Sequence, residues 1–332
     1  MFDTDRFTRT QQTEAHYCEL THREVTQFTR STGLEWESSR QELLAWLESR
    51  RDGVSPAYWR LLRSAMVWFF AQLGESGVSE GIRAIGTDGC TKASRTSANK
   101  KKSVSDDDLS SLARHLYMDA KSEIARETFC FLVSGIVAGL RPAEWSAARI
   151  GFYDAQGESL SEATPPEIID KIVLVVENAK STNGRSHGSC RTLPLANLPN
   201  SEKVALLAHW RSVERECQQG TFEQWQRRCS DKLRYATRHL WPSKKKRVTL
   251  YSGRHQSMAN GKASGLPKNV IAALHGHATD RTSGDHYGRK QYGHAGRSYA
   301  QPVEEEVARV REVAKDYTPP DRRQAPTHNR EQ

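Results

Sequence analysis

The apolar positions of this chain fall into stretches of different period, separated by polar gaps. Leu43, Leu44, Trp46 and Leu47 lie on one helical stripe, and Arg50-Arg-Asp-Gly53 reads as its end. Ser55-Pro56 follows, an N-cap with proline at the first helical position. Tyr58, Leu61, Leu62, Ala65, Met66, Phe69, Phe70 and Leu73 then recur at steps of three and four, predicting a helix that stops near Gly74. This pair makes a small helical domain over 33–74, extending to about residue 80. Residues 1–32 are polar, Thr-rich and without period, and read as a loose arm with room for one short helix.

Residues 75–103 are rich in Gly, Ser and Thr and close on Lys100-Lys-Lys102, the composition of a basic flexible linker. A new periodic region opens at Ser105-Asp-Asp-Asp108, a capped helix start with acids in its first turn. An apolar helix over 125–138 should stop at Gly139. Pro142 suits a first turn, which sets Arg141 at the cap and Glu144 in the opening turn. Residues 149–154, Lys171–Glu177 and 191–195 have strand composition, with Asn183-Gly184 as a turn signal. Helices and a second basic run, Lys244-Lys-Lys-Arg247, follow. A charged amphipathic helix is predicted over 303–316, fit either to contact a neighbouring protomer or to pack on its own domain. Residues 318–332 have the composition of a disordered tail. The fold class expected is mainly α with a small antiparallel β-sheet.

Composition narrows the partners. The net charge is +9 and the pI near 9.3, the balance of a protein that faces a polyanion, most often nucleic acid. No apolar run approaches the roughly 18 residues of a membrane span, and no signal peptide is evident at the start, so a cytoplasmic protein is expected. Six scattered cysteines without a CxxC pair read as reduced thiols, neither a disulfide frame nor a zinc site.

The chemistry lies in a few residues. Gly139-Leu-Arg141-Pro-Ala-Glu144, then Lys180 just before a turn, then Arg254-His255, His277 and Tyr287, resemble the tyrosine recombinase (phage integrase) family over roughly 105–290. Guanidiniums suit the charge that builds on a phosphodiester under attack, because they stay ionised and bond two oxygens at once. A phenol, with a pKa of about 10, needs such help to act as a nucleophile. Arg141 also sits where helical amides favour anions.

The resemblance implies a site-specific DNA recombinase, with a core-binding domain over 33–74 and a catalytic domain over 104–300. Arg141 and Arg254 would clamp the phosphate, and Tyr287 would attack it to leave a 3′-phosphotyrosyl enzyme. Lys180 would protonate the leaving 5′-oxygen, with Lys171 as its competitor. His277 would donate to a phosphoryl oxygen or manage the Tyr287 proton, Glu144 would orient Arg141, and His255 would be structural. Tyr292 and Tyr299 compete with Tyr287, which has the better spacing from His277. Lys100, Lys101, Lys102, Lys244, Lys245, Lys246 and Arg247 would meet the DNA backbone. Neither metal nor cofactor is needed, and the partners implied are a double-stranded target site, three further protomers and accessory DNA-bending proteins. The setting implied is a bacterial-type, nucleoid-associated cytoplasmic protein.

One departure stands out. Tyr251 occupies the position, three residues before Arg254, where the family usually has histidine. A phenol can bond a phosphate oxygen but is no imidazole base near neutral pH. His275 replaces a common leucine and reads as a surface variation. Two rival readings are a type IB topoisomerase-like nicking-closing enzyme and a DNA-binding protein of the same fold with impaired catalysis.

Overall fold

A computed structural model describes residues 9, 11–91, 100–164, 169, 171–179, 186–281, 288–297 and 300–313. The chain is mainly helical with a small four-stranded antiparallel sheet, and it divides into two compact units, Met1–Ala98 and Asn99–Gln332.

The first unit is built from α1 (Gln11–Thr32), α2 (Arg40–Arg51), α3 (Pro56–Gln72) and α4 (Ser76–Ala84). The α2–α3 pair is the one the apolar spacing predicts, and the Ser55 hydroxyl caps α3 by accepting from Tyr58 N at 3.3 Å. Two expectations are corrected. The N-terminal arm is a 22-residue helix, because Leu20 and Phe28 are buried and Glu24 is held inside by Tyr58 and Arg50. The presumed linker holds α4, whose Val78 and Ile82 close the core formed by Leu43, Leu47, Trp59, Met66 and Phe70.

The second unit begins earlier than the lysine run suggested. Lys100 bridges to Arg247, and Lys101 N donates to Arg247 O at 2.8 Å. Val104 N donates to Gln256 Oε1 at 2.7 Å, so residues 100–104 form a strap on the second unit. Then come α5 (Asp106–Ala113), with its Ser105/Asp108 capping box, a π-helical turn over Arg114–Met118, and α6 (Glu123–Ala138). Past α6, a 3-10 helix (Pro142–Ala147) leads into β1 (Arg149–Tyr153), β2 (Ser159–Leu160), β3 (Lys171–Glu177) and β4 (Cys190–Pro194), in the order β2-β1-β3-β4. The sequence marked three of these strands; β2 is only two residues long.

Helices α7 (Asn200–Gln218), α8 (Phe222–Leu240), α9 (Leu250–Ala263) and α10 (Lys268–Leu274) follow. Helix α6 is the hub, packed on α7, α8 and α9. It meets α9 glycine to glycine: a Cβ at Gly253 would lie 3.0 Å from the carbonyl carbon of Gly135 and from Leu132 O. The predicted C-terminal helix is much shorter, α11 (Glu304–Ala308). It ends because Arg311 leaves helical geometry to bridge Thr279 and donate to Ala278 O at 3.0 Å. Val307 and Val310 pack on Ala272 and Ala273 of the same unit, so the described part of this segment docks on its own domain.

His209 of α7 is fully buried among Phe131, Trp145 and Trp225, with ring centroids at 4.2, 4.4 and 5.8 Å. Neither ring nitrogen has a hydrogen-bond partner among the described residues, and burial pushes its pKa down to about 3. Unfolded, the ring titrates near 6.5. Acidification between those values therefore favours the unfolded chain, by about 1.4 kcal/mol per pH unit for this group. His209→Phe is expected to flatten the urea-unfolding free energy between pH 6 and 4 by about that slope. An unchanged slope would refute the assignment.

Candidate active site

Helix α6 stops at Gly139, which takes a left-handed turn (φ +67°). The next residues start the 3-10 helix: Arg141 is its N-cap, Pro142 its first residue, and the Glu144 side chain turns back to accept from Arg141 N at 2.8 Å. The Arg141 guanidinium also bonds the other Glu144 oxygen. One short helix start thus fixes both residues, as the proline spacing predicted.

Two more guanidiniums converge on that carboxylate from distant elements. Arg191 of β4 donates to Glu144 Oε2 at 2.9 Å, and Arg254 of α9 approaches the same oxygen at 3.5 Å. Arg191 and Arg254 are completely buried, whereas the Arg141 side chain keeps 14 % of its surface exposed. Burial alone would raise the Glu144 pKa. The three guanidiniums overcome it and hold the carboxyl well below the usual range, so it stays ionised at neutral pH.

Arg254 is held on every side. It donates to Gly139 O at 2.7 Å, to His275 O at 2.6 Å and to His277 Nε2 at 3.0 Å. Because a guanidinium can only donate, His277 Nε2 accepts here and the ring is neutral. Burial, then Arg254 and His275, hold the His277 pKa well below its ordinary value. His277 in this arrangement is an acceptor, and it can give a proton from Nε2 only after Arg254 turns away. His275 is corrected from surface residue to core: its Nδ1 donates to Ile271 O at 2.8 Å and its Nε2 accepts from Ser257 at 3.2 Å.

A second cluster lies beside Arg254 in the first two turns of α9. Tyr251 is half-buried with its ring edge-on to His255 at 5.2 Å. Burial, then Lys102, Arg254 and Lys100, push the His255 pKa down to about 4. The two lysine runs meet here through the Lys100–Arg247 bridge, although 147 positions separate those residues. Lys100, Lys102, Lys244, Lys245 and Lys246 are exposed. Lys101 and Lys244 flank the Trp241 ring and share Asp108 as counter-ion. The strap is tied to α9 itself by Ser252, whose hydroxyl donates to Lys101 O at 2.5 Å.

Lys180, Tyr287 and Tyr299 lie outside the described residues. Immediately after Tyr287, the chain is fastened to α9: Lys262 Nζ donates to Gly288 O at 2.9 Å and Gln256 Nε2 to Tyr292 O at 2.9 Å. Asn260 Oδ1 accepts from His294 N at 3.0 Å. Tyr292 is half exposed, and Lys171 is exposed on β3.

No family model and no curated protein matches this chain.

Arg141, Glu144, Arg254 and His277 come together, and Tyr251 and His255 lie before and after Arg254 on α9. Arg191 was not singled out by the sequence, yet a signal existed. It shares a face of β4 with Leu193 and, just beyond the strand, Leu195, both fully buried, so an alternating strand places it inward.

Proposed function

We propose that this chain is a DNA strand transferase of the tyrosine recombinase type, which cleaves and rejoins DNA through a 3′-phosphotyrosyl intermediate. The observation that carries the reading is the charge of the buried cluster. Three guanidiniums surround one carboxylate while both neighbouring histidines are held neutral, leaving an excess of two positive charges. Desolvated excess charge of this kind is costly unless an anion enters. Arg141, at the partly open edge, is where a phosphate arrives.

The surroundings support a nucleic-acid substrate. Residues 99–332 carry 37 Lys and Arg against 27 Asp and Glu, whereas residues 1–98 carry 12 against 13. The electrostatic footprint thus belongs to the second unit, with the joined lysine runs as its densest part. The first unit takes the place of the family's core-binding domain and would hold duplex DNA through local contacts rather than net charge.

In the reaction, Arg141 and Arg254 stabilise the equatorial charge of the phosphorane-like state; Tyr287 attacks phosphorus, its phenol proton passing to water, and the bond to the 5′-oxygen breaks as Lys180 protonates that oxygen. Tyr251 supplies a phosphate hydrogen bond where a histidine would be usual. Strand exchange between two duplexes by four protomers, assisted by DNA-bending proteins, follows from the same resemblance.

The test uses a library of nicked suicide duplexes with randomised centres, from which the cleaved 5′-hydroxyl fragment diffuses away. The expected result is a denaturant-resistant protein–DNA adduct enriched for one sequence. Retention of duplexes without any adduct would instead identify a DNA-binding protein with a silent site, a reading favoured by the complete enclosure of Arg254. Relaxation of any supercoiled plasmid, without sequence enrichment, would identify a nicking-closing enzyme.

A further inference from the structure

Arg191 differs from the other two guanidiniums in what it can reach. It has no exposed surface, bonds Asn178 Oδ1 on one side and donates to Glu144 Oε2 at 2.9 Å on the other. Arg141 is the reverse case. It bonds Glu144 Oε1 and keeps an open edge, so it can exchange that bond for a phosphate oxygen. When it does, Glu144 loses one partner and would be free to swing or take up a proton. Arg191 prevents both, because its bond to the second oxygen needs no change when a ligand enters.

Asn178 extends the connection. Its Nδ2 donates to Gly188 O at 3.0 Å and its backbone N to Ser189 O at 2.8 Å, which closes the base of the β3–β4 connection. That connection contains Lys180 in sequence. One buried side chain therefore joins the base of the segment that bears the candidate acid to the carboxylate that holds the phosphate clamp.

We propose that Arg191 is a positioning residue of the strand-transfer site, the fixed counter-cation that keeps Glu144 in place while Arg141 moves to the phosphate. This rests on the strand-transferase reading, but part of its test does not. Among the described residues, the charged and titratable groups facing Glu144 are Arg141 on its own helix, Arg191 on β4, Arg254 on α9 and His275 after α10. Without Arg191, the remaining guanidiniums oppose the burial of Glu144 less strongly, and its pKa rises. The folded and unfolded pKa values of Glu144 then lie closer together, so acidification below about pH 5 costs less stability through this group than in the wild-type protein.

The experiment compares wild-type protein, Arg191→Met, Arg191→Lys, Glu144→Gln and the Arg191→Met/Glu144→Gln pair. Urea unfolding is followed from pH 7 to 4, together with duplex DNA binding and adduct formation on suicide duplexes. Arg191→Met is expected to bind DNA within about threefold of wild type, because the side chain does not reach solvent. Its adduct formation should fall by about 100-fold, and its unfolding free energy should fall less steeply than that of wild type as the pH drops below about 5. Lysine at 191 should recover part of the rate and of the wild-type slope, and the paired substitution should show the same slope as Glu144→Gln alone. Parallel unfolding profiles for wild type and Arg191→Met would overturn the proposal, as would unchanged adduct formation. If Arg191→Met does not fold, the paired variant decides: the proposal expects it to fold, and its failure where Glu144→Gln alone folds would overturn it. Absence of adduct from the wild-type protein would count against strand transfer, and the unfolding profiles would still judge the role of Arg191.

Discussion

Tyr287→Phe is expected to bind duplex DNA as tightly as the wild-type chain and to form no denaturant-resistant adduct. The substitution removes one oxygen and leaves the ring. Affinity for DNA comes mainly from phosphate contacts by lysines and arginines, and these are untouched. The covalent step has no substitute for the lost oxygen, and the rate should fall by about 10⁴-fold or more, the scale seen when a nucleophile is deleted. Tyr292→Phe is the control. Its carbonyl is held by Gln256 and its ring is half exposed, so adduct formation should be unchanged. Adduct that survives in Tyr287→Phe and disappears in Tyr292→Phe would transfer the nucleophile to Tyr292.

Glu144→Ala is the second large effect, and it acts on folding before chemistry. The carboxylate is the shared acceptor of three guanidiniums, two of them with no exposed surface. Removing it leaves Arg191 and Arg254 charged, buried and short of a partner. The loss expected is about 3–5 kcal/mol, the range for breaking a buried ion pair from one side. Glu144→Gln keeps an acceptor oxygen for Arg141 N and Arg191 and should lose less. Urea unfolding of the two variants measures the difference. Sulfate should restore stability to Glu144→Ala more than to wild type, because the vacated centre has a larger excess of positive charge. Equal stability of the two variants would show that the charge, lost in both, is what matters, and that the acceptor oxygen kept by glutamine contributes nothing.

The parts of this fold legible in the sequence are those set by local rules. Ser55-Pro56 and Ser105-Asp106 gave helix starts, Gly139 a stop, and Pro142 placed Arg141 and Glu144 within one turn. What stayed hidden depends on partners far along the chain. Helix α1 has a polar composition because Glu24 and Thr21 are inside it, and its helicity rests on packing against α3. The strap at 100–104 looks like linker composition until Arg247 and Gln256 take up its amides. Arg191 reads as one polar residue in a strand until Glu144, 47 positions away, explains it. His275 resembled a surface substitution because nothing nearby in sequence announces Ser257 or the turn at Gly139. The candidate site was thus visible as a list of residues. Its electrostatic centre was not.

The contact between Gly135 and Gly253 has a consequence for how such a site tolerates change. Residue 254 follows directly on the tightest point between α6 and α9, and its guanidinium reaches the last carbonyl of the α6 turn, at Gly139. Arg254 therefore takes its coordinates from two rigid rods in direct backbone contact, with no intervening side chains that could rearrange to absorb an error. A single added methyl at 253 would move the whole rod, and the arginine with it, by tenths of an ångström. The two positions with the least chemistry act as the gauge blocks of the site, and drift in this protein should be slower there than at many charged residues around them.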